Sequence, residues 1–381
     1  MDMKKAFDTV KHGVLFRKLI KRNIPHIFIR LLIFMYKGQT AQVKWKGKLS
    51  DQFSMTNGVK QGAVLSAILF CVYIDDMMKD LRKKRDGCWI NGAFTGIIAY
   101  ADDIVLMSPS IDGLQLMIDN CLAYAKNHNL TFSTHENPHK SKTKCISFRK
   151  NNRSLPSLTL DEKKLPWVKS VKHLGTTILD DTNSRMSQDC LEKRAQYIAR
   201  NNKLYQEFYY ATQSTRVFLN NVFNTSFYGA PLWDLFSPSV NKLESSWNVS
   251  QRIMNNLPKN THRYLIEPIS NTHHIIKSLH KRFINFIGNI RLCTKPVLRS
   301  ALQVTSRDVR SIPGKNLRMM MLQTLNYDLN DYDPYSRPYR EVPATERWRL
   351  ELLKDVLQTS IDTGLLSEQE HDTLLSYVCG S

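Results

Sequence analysis

Asp102 and Asp103 stand side by side between two short apolar runs, Ile97-Ile98-Ala99-Tyr100 and Ile104-Val105-Leu106-Met107. The β-branched content predicts a strand, a tight turn and a second strand. Carboxylates held this close raise each other's pKa, and an ionised group is disfavoured in a low dielectric. A divalent cation at the turn would remove that conflict, whereas the plainer account is that Asp simply favours turns. Asp75-Asp76 is a second acidic pair, but it closes an apolar run with no strand on either side and reads as a solvated helix end. His273, His274 and His280 have no Cys or acidic partner spaced to complete a metal site, and read as part of a solvent- or nucleic-acid-facing helix. The seven cysteines are scattered with no Cys-x-x-Cys pair, which argues against a disulfide framework and against structural zinc.

The elements around the acidic turn follow from periodicity. Val10 to Asn23 is predicted as an amphipathic helix, with Asp8 placed to cap its start and His12 beside it, and Pro25 opens a second helix through Tyr36. Thr40 to Phe53 alternates around Gly47 as a hairpin, and Asn57 to Gly62 is a glycine-punctuated loop before a helix over 63–81. A helix over 111–127, a strand over Thr143–Phe148 and short strands between Leu158 and Leu179 complete the first part. Helices are predicted over 184–211, 215–226, 239–256 and 272–292, and Pro296, Pro313, Pro334, Pro338 and Pro343 mark a looser connection into a last helical piece.

Composition narrows the partners. With 381 residues the chain is long enough for two or three cores, and 54 Lys+Arg against 34 Asp+Glu give a formal net charge of +20. Such an excess favours polyanions or an anionic membrane surface. The excess concentrates in residues 190–300, with 15 basic and 5 acidic side chains, whereas 331–381 carries 10 acidic and 5 basic. In the basic stretch Arg194, Arg200, Lys203 and Arg216 interleave with Tyr205, Tyr209 and Tyr210, a pattern that suits a nucleic-acid groove and equally a helical bundle with aromatic core and cationic surface. No segment reaches the roughly 18–20 apolar residues of a membrane helix, and no signal peptide is visible, so an intracellular setting, nucleus or cytoplasm, is expected.

Taken in order, these segments resemble the palm motifs of reverse transcriptases. Asp2-Met3-Lys4-Lys5-Ala6-Phe7-Asp8 is similar to the first motif, Asn57 to Ser66 to the second, and Tyr100-Ala101-Asp102-Asp103 to the third. Lys140 to Phe148 looks like the fourth and His173-Leu174-Gly175 like the fifth, and the wording is most similar to non-LTR (LINE-type) retrotransposons. The resemblance covers residues 1 to about 180. It implies an α+β fold: a polymerase palm, a small antiparallel sheet backed by helices, followed by an α-helical thumb and a C-terminal helical region. The expected division is palm 1–180, basic thumb-like domain 181–300 and C-terminal helical segment 301–381.

The function implied is RNA-directed DNA polymerisation, with an RNA template, a DNA primer and deoxynucleoside triphosphates as partners and no membrane. Two Mg²⁺ ions, ~3.5–4 Å apart, are the implied cofactor, with Mn²⁺ as a substitute. By resemblance Asp2 and Asp102 bridge both ions, Asp103 is the third acid, and the Met3 carbonyl is a further ligand. Phe7 matches the bulky residue that excludes a ribose 2′-hydroxyl, with core packing as its alternative role. Gln61 contacts the nucleotide and Gly62 admits close backbone approach. Lys142 matches the position that protonates or holds departing pyrophosphate, with Lys140 and Lys144 close by.

The chain departs from the family pattern at its start, where no basic fingers region and no endonuclease domain precede Met1. The expectation is a truncated reading frame whose palm folds but polymerises poorly. The competing hypotheses are a catalytically inactive nucleic-acid-binding remnant and an RNA-directed RNA polymerase, the latter disfavoured by Phe7.

Overall fold

A computed structural model describes residues 1–325 except 136, 138–139, 149–154, 181–184, 225–226, 271, 273 and 309, with the side chains of 185–186, 223–224 and 321–325 also left aside. His273 and the acidic stretch 331–381 lie outside the described residues. The chain divides into two units, Met1–Lys172 with Ile178–Asn183, and His173–Thr177 with Ser184–Ser381.

The first unit mixes helices with two-stranded antiparallel sheets. Its core lies between α1 (His12–Lys21), α3 (Val64–Lys84) and α4 (Ile111–Asn127), with α2 (His26–Tyr36) packed on α1. The buried stripe of α3, Leu69, Phe70, Tyr73, Ile74, Met77 and Leu81, has the three- and four-residue spacing that keeps one helix face inward. It meets Leu15 and Leu19 of α1 and Met117, Ile118 and Cys121 of α4 in one apolar cluster. The start of α4 is set by Ser110, whose hydroxyl accepts from Gly113 N–H at 3.1 Å.

Residues 40–54 form two nested pairs, β1 (Thr40–Ala41) with β4 (Phe53–Ser54) outside β2 (Lys44–Trp45) with β3 (Lys48–Leu49). β5 (Trp89–Ile90) pairs with β6 (Ala93–Phe94). β7 (Ile97–Tyr100) pairs with β8 (Asp103–Leu106) in the register Tyr100↔Asp103, Ala99↔Ile104, Ile98↔Val105 and Ile97↔Leu106. β9 (Thr159–Leu160) pairs with β10 (Lys163–Lys164), and β11 (Ser170–His173) with β12 (Thr176–Leu179).

Three expectations for this unit are corrected. Residues 143–148 form no strand: Cys145 alone makes a parallel bridge with Trp167, through Cys145 N–H to Pro166 O at 2.9 Å and Val168 N–H to Cys145 O at 2.8 Å, and the pairing goes no further along the segment. Asp8 is exposed and does not cap α1, whose N-cap is Lys11 with no side-chain cap bond. Asp75 and Asp76 do not end a helix. α3 continues to Lys84, and the carboxylates are neutralised mid-helix, Asp75 by Arg22 at the C-cap of α1 and Asp76 by Lys18 of α1, with Lys79 also 2.8 Å from Asp75.

The second unit is helical: α5 (Arg185–Glu207), α6 (Gln213–Asn224), a 3-10 turn over Ala230–Leu232, α7 (Pro238–Met254), α8 (Arg263–Ser270), α9 (Ile275–Leu292), α10 (Pro296–Arg307) and α11 (Ile312–Leu325). Its core holds Trp233, Trp247, Tyr197 and Phe283. Pro296 and Pro313 open helices rather than loosen the chain, since a first-turn residue has no intrahelical N–H bond to lose. The histidines are also not presented outward. His280 is buried against Phe236, and His274 packs edge-on to Trp247 with Nε2 3.3 Å from Glu244. Among the described residues no helix is long and apolar enough to cross a membrane.

Candidate active site

The β7–β8 hairpin turns through Ala101 and Asp102, and Ala101 adopts φ +53° to close it. Its inner strand is extended sideways by the first residues of the chain. Ile104 N–H donates to Met1 O at 3.0 Å, and the Met1 amine donates to Ile104 O at 2.5 Å. On the other side Ser133 N–H donates to Asp2 O at 2.7 Å and Lys4 N–H to Thr131 O at 2.7 Å, with Met3 bridged antiparallel to Phe132. The segment carrying Asp2 is thus held between the acidic hairpin and the chain that leaves α4.

Asp2, Asp102 and Asp103 are all partly buried, and their charges act on one another. Burial pushes the Asp102 carboxyl above its ordinary value, and the neighbouring Asp103 and Asp2 carboxylates push in the same direction. A hydrogen bond from its own backbone and the Lys142 charge offset part of this rise. Lys142 Nζ lies 3.8 Å from Asp2 Oδ2, but the lysine is 73% exposed, so solvent screens its charge. Thr143, almost fully buried, receives the Asp2 N–H on Oγ1 at 3.4 Å. Sequence reasoning missed this hydroxyl, whose one visible signal was its place inside Lys142-Thr143-Lys144.

The donor set suits a hard divalent cation: carboxylate oxygens, mutually repelling, opposed in part by the screened Lys142 and by the Met1 amine, whose charge acts on Asp103 and Asp2. Among the described residues no group of three His, Cys, Asp or Glu side chains is arranged to hold a metal ion, so Asp2, Asp102 and Asp103 as placed do not form a complete cation site.

The remaining residues singled out from sequence fall nearby in the chain's folding. Met3 is buried. Phe7 is half-buried, its ring 5.2 Å from Phe70, and its carbonyl accepts from Val59 N–H at 2.7 Å. That bond ties the segment of Asp2 to the loop of Gln61 and Gly62. Gln61 is exposed, and Gly62 has φ +84° with open space where a Cβ would stand, so conformation rather than crowding calls for glycine.

In the basic helices the interleaved residues separate into two kinds. Arg216 is buried, donating to Tyr209 O at 3.0 Å with its guanidinium 5.4 Å from the Tyr205 ring, and Arg194 Nε donates to Ser246 Oγ at 2.7 Å. Arg200, Lys203, Tyr209 and Tyr210 face solvent, Tyr210 almost completely.

Residues 1–178 match the family described as reverse transcriptase (RNA-dependent DNA polymerase). The chain is 32% identical over 124 residues to the retrovirus-related Pol polyprotein from type-2 retrotransposable element R2DM of Drosophila melanogaster, covering 32% of this chain and 12% of that protein. It is 29% identical over 185 residues to the retrovirus-related Pol polyprotein from type-1 retrotransposable element R2 of Popillia japonica, covering 46% and 30%. With the probable RNA-directed DNA polymerase from transposon X-element of Drosophila melanogaster it shares 23% identity over 269 residues, covering 67% and 28%. The chain thus spans less than a third of the length of these relatives. Residues 1–178, a little under half of the chain, are thus similar to reverse transcriptases, a family whose members use divalent metal ions, and the relatives above are named for retrotransposable elements.

Proposed function

We propose that this chain is the polymerase part of a non-LTR retroelement protein, extending a DNA primer on an RNA template from deoxynucleoside triphosphates. The observation that carries the proposal is the backbone pairing that sets the Asp2 segment beside the Asp102-Asp103 turn, with Lys142 Nζ 3.8 Å from Asp2 Oδ2 and the Asp102 carboxyl raised by burial and by its acidic neighbours. Like charges placed together at structural expense imply a positive ligand. In this reading Asp2 and Asp102 hold two Mg²⁺ ions, Asp103 is the third acid, and the Met3 carbonyl adds an oxygen. Ions held there would supply a lowered pKa at the primer 3′-hydroxyl and neutralisation of the charge that develops on the phosphates.

The protein's own side chains then position the reactants. Phe7, braced on Phe70, stands under the sugar and leaves no room for a 2′-hydroxyl. Gln61 contacts the nucleotide from the loop that Gly62 bends. Lys142, free enough to leave Asp2, holds the charge of departing pyrophosphate or protonates it. Residues 1–180 form the palm, 181–300 a thumb, and 301–381 a C-terminal helical segment. Arg200, Lys203, Tyr209 and Tyr210 follow the template–primer backbone and stack on exposed bases.

RNA-templated primer extension with Mg²⁺ tests this reading against the alternative of a nucleic-acid-binding remnant. Incorporation of deoxynucleotides that is lost in the double variant D102A/D103A is the expected result. Background signal from both proteins, with salt-sensitive RNA binding retained, would assign the chain to the remnant, whose supporting observation is the exposed basic and aromatic surface of the second unit. Preference for ribonucleotides would favour an RNA polymerase instead.

A further inference from the structure

The loop that carries Gln61 and Gly62 is clasped from two sides. Gly58 N–H donates to Val10 O at 2.8 Å, and Val59 N–H donates to Phe7 O at 2.7 Å. Gly58 has φ +94°, and a Cβ there would meet Asp8 Cα at 3.1 Å, Asp8 O at 3.1 Å and Phe7 O at 3.2 Å. All three are backbone atoms, which cannot swing aside as the end of a side chain could. On the opposite side His12 Nε2 lies 2.6 Å from Gly58 O. A carbonyl oxygen only accepts, so Nε2 carries the proton.

The imidazole is itself held in place. Its ring centroid is 4.9 Å from Tyr36 and 6.1 Å from Phe16. Tyr36 hydrogen-bonds Ser66, and Ser66 Oγ donates to Lys60 O at 2.5 Å. Both ends of the tripeptide Gly58-Val59-Lys60 are thereby anchored just before Gln61. One anchor comes from the start of α1, the other from the end of α2 and the first turn of α3.

We infer that His12 and Gly58 are positioning residues that lock the Phe7 backbone and the Gln61-Gly62 loop into one register, and thereby set how strictly the site rejects a 2′-hydroxyl. The inference rests on the roles given above to Phe7 and Gln61. Its physical basis is that Phe7 is joined through its own carbonyl to the loop His12 holds, so release of Gly58 O frees both partners. An ordinary packing role for His12 would lower stability and scale all nucleotide use together. A positioning role changes the ratio between nucleotides.

The test compares single-nucleotide incorporation of deoxy- and ribonucleoside triphosphates by the whole chain carrying F7V, H12F, H12Q or G58A. H12F keeps a ring against Tyr36 but removes the donor. It should lower the deoxy-to-ribo ratio about three- to tenfold, the value of one hydrogen bond, chiefly through a lower ribonucleotide KM. H12Q, whose side-chain amide can donate to the same carbonyl, should recover most of the ratio, and G58A should lower it through the clash with Phe7 and Asp8. A collapsed ratio in F7V with an unchanged ratio in H12F and G58A would overturn the inference while leaving the Phe7 assignment standing. An unchanged ratio in F7V would overturn both. Amide hydrogen exchange supplies an arm independent of turnover. H12F should speed exchange at residues 58–62 and 7–10 together, and a change confined to α1 would contradict the coupling.

Discussion

The first unit contains two Asp-Asp pairs, and they are opposites. Asp75 and Asp76 sit in the middle of α3 facing cations: Arg22 and Lys79 on the first, Lys18 on the second. Burial alone would raise both carboxyls, but these hydrogen bonds and charges hold them below the ordinary carboxylate value. Asp102 and Asp103 sit at a strand turn with another acid beside them, and there Asp102 is raised. The same dipeptide is satisfied in one place and left in conflict in the other. A carboxylate pair with close counterions built in holds helices together, whereas the turn acids, opposed only in part by Lys142 and the Met1 amine, are in the proposed reading left for a ligand that brings further positive charge.

The largest expected effect exploits that vacancy of charge. Mg²⁺ at about one hundred times its dissociation constant should stabilise the wild-type chain by about 2.7 kcal/mol. The gain should disappear in D102N and persist in D76N, as followed by thermal unfolding. Loss of the gain in D76N and its retention in D102N would reverse the assignment of the two pairs.

Next in size is the clasp around Asp76. Lys18 is almost fully buried and donates to Tyr124 OH at 2.9 Å as well as to Asp76. Lys18→Met should cost about 1–2 kcal/mol in chemical denaturation, because the Tyr124 hydroxyl loses this donor inside the core while half-exposed Asp76 recovers water. An unchanged denaturation midpoint would show that the ion pair is ornamental.

The pairs should also separate by pH. Asp75 and Asp76, with folded pKa values below the ordinary 3.8, contribute stability that is present above 3.8 and lost as pH falls through their folded values. Asp102 has the opposite sign. Its contribution is present below 3.8 and is lost as pH rises through its elevated folded value. D75N/D76N should therefore flatten the acid limb of the stability curve, and D102N should gain on wild type from about pH 4 upward. The smallest effect belongs to Lys142→Ala, whose exposed pairing with Asp2 should change stability by no more than about 0.5 kcal/mol.

What could be read in advance was local. The α4 boundaries and the β7–β8 hairpin follow from periodic apolar positions and β-branched runs bounded by turn residues. What could not be read depends on partners far along the chain. The sheet around Asp2 is assembled from single bridges to Ile104, Phe132 and Ser133, over more than a hundred residues of separation. Asp75-Asp76 was mistaken for a solvated end because a run of charge resembles a helix terminus. Lys18 and Arg22, one turn apart on a predicted helix, were the available sign of its true partners. Pro296 and Pro313 were misjudged because proline ends helices and also begins them. The acids and Lys142 were visible as motif residues, while His12 and Thr143 emerged as neighbours once the backbone brought distant segments together.

The most direct test of the account sets the two pairs side by side in one assay, deoxynucleotide incorporation on a primed RNA template titrated with Mg²⁺. The account predicts that D102N loses at least about 100-fold, the scale of removing one electrostatic group from an active site, while D76N keeps wild-type turnover per folded molecule. Equal activity in D102N and wild type, or an equal loss in both variants, would contradict it.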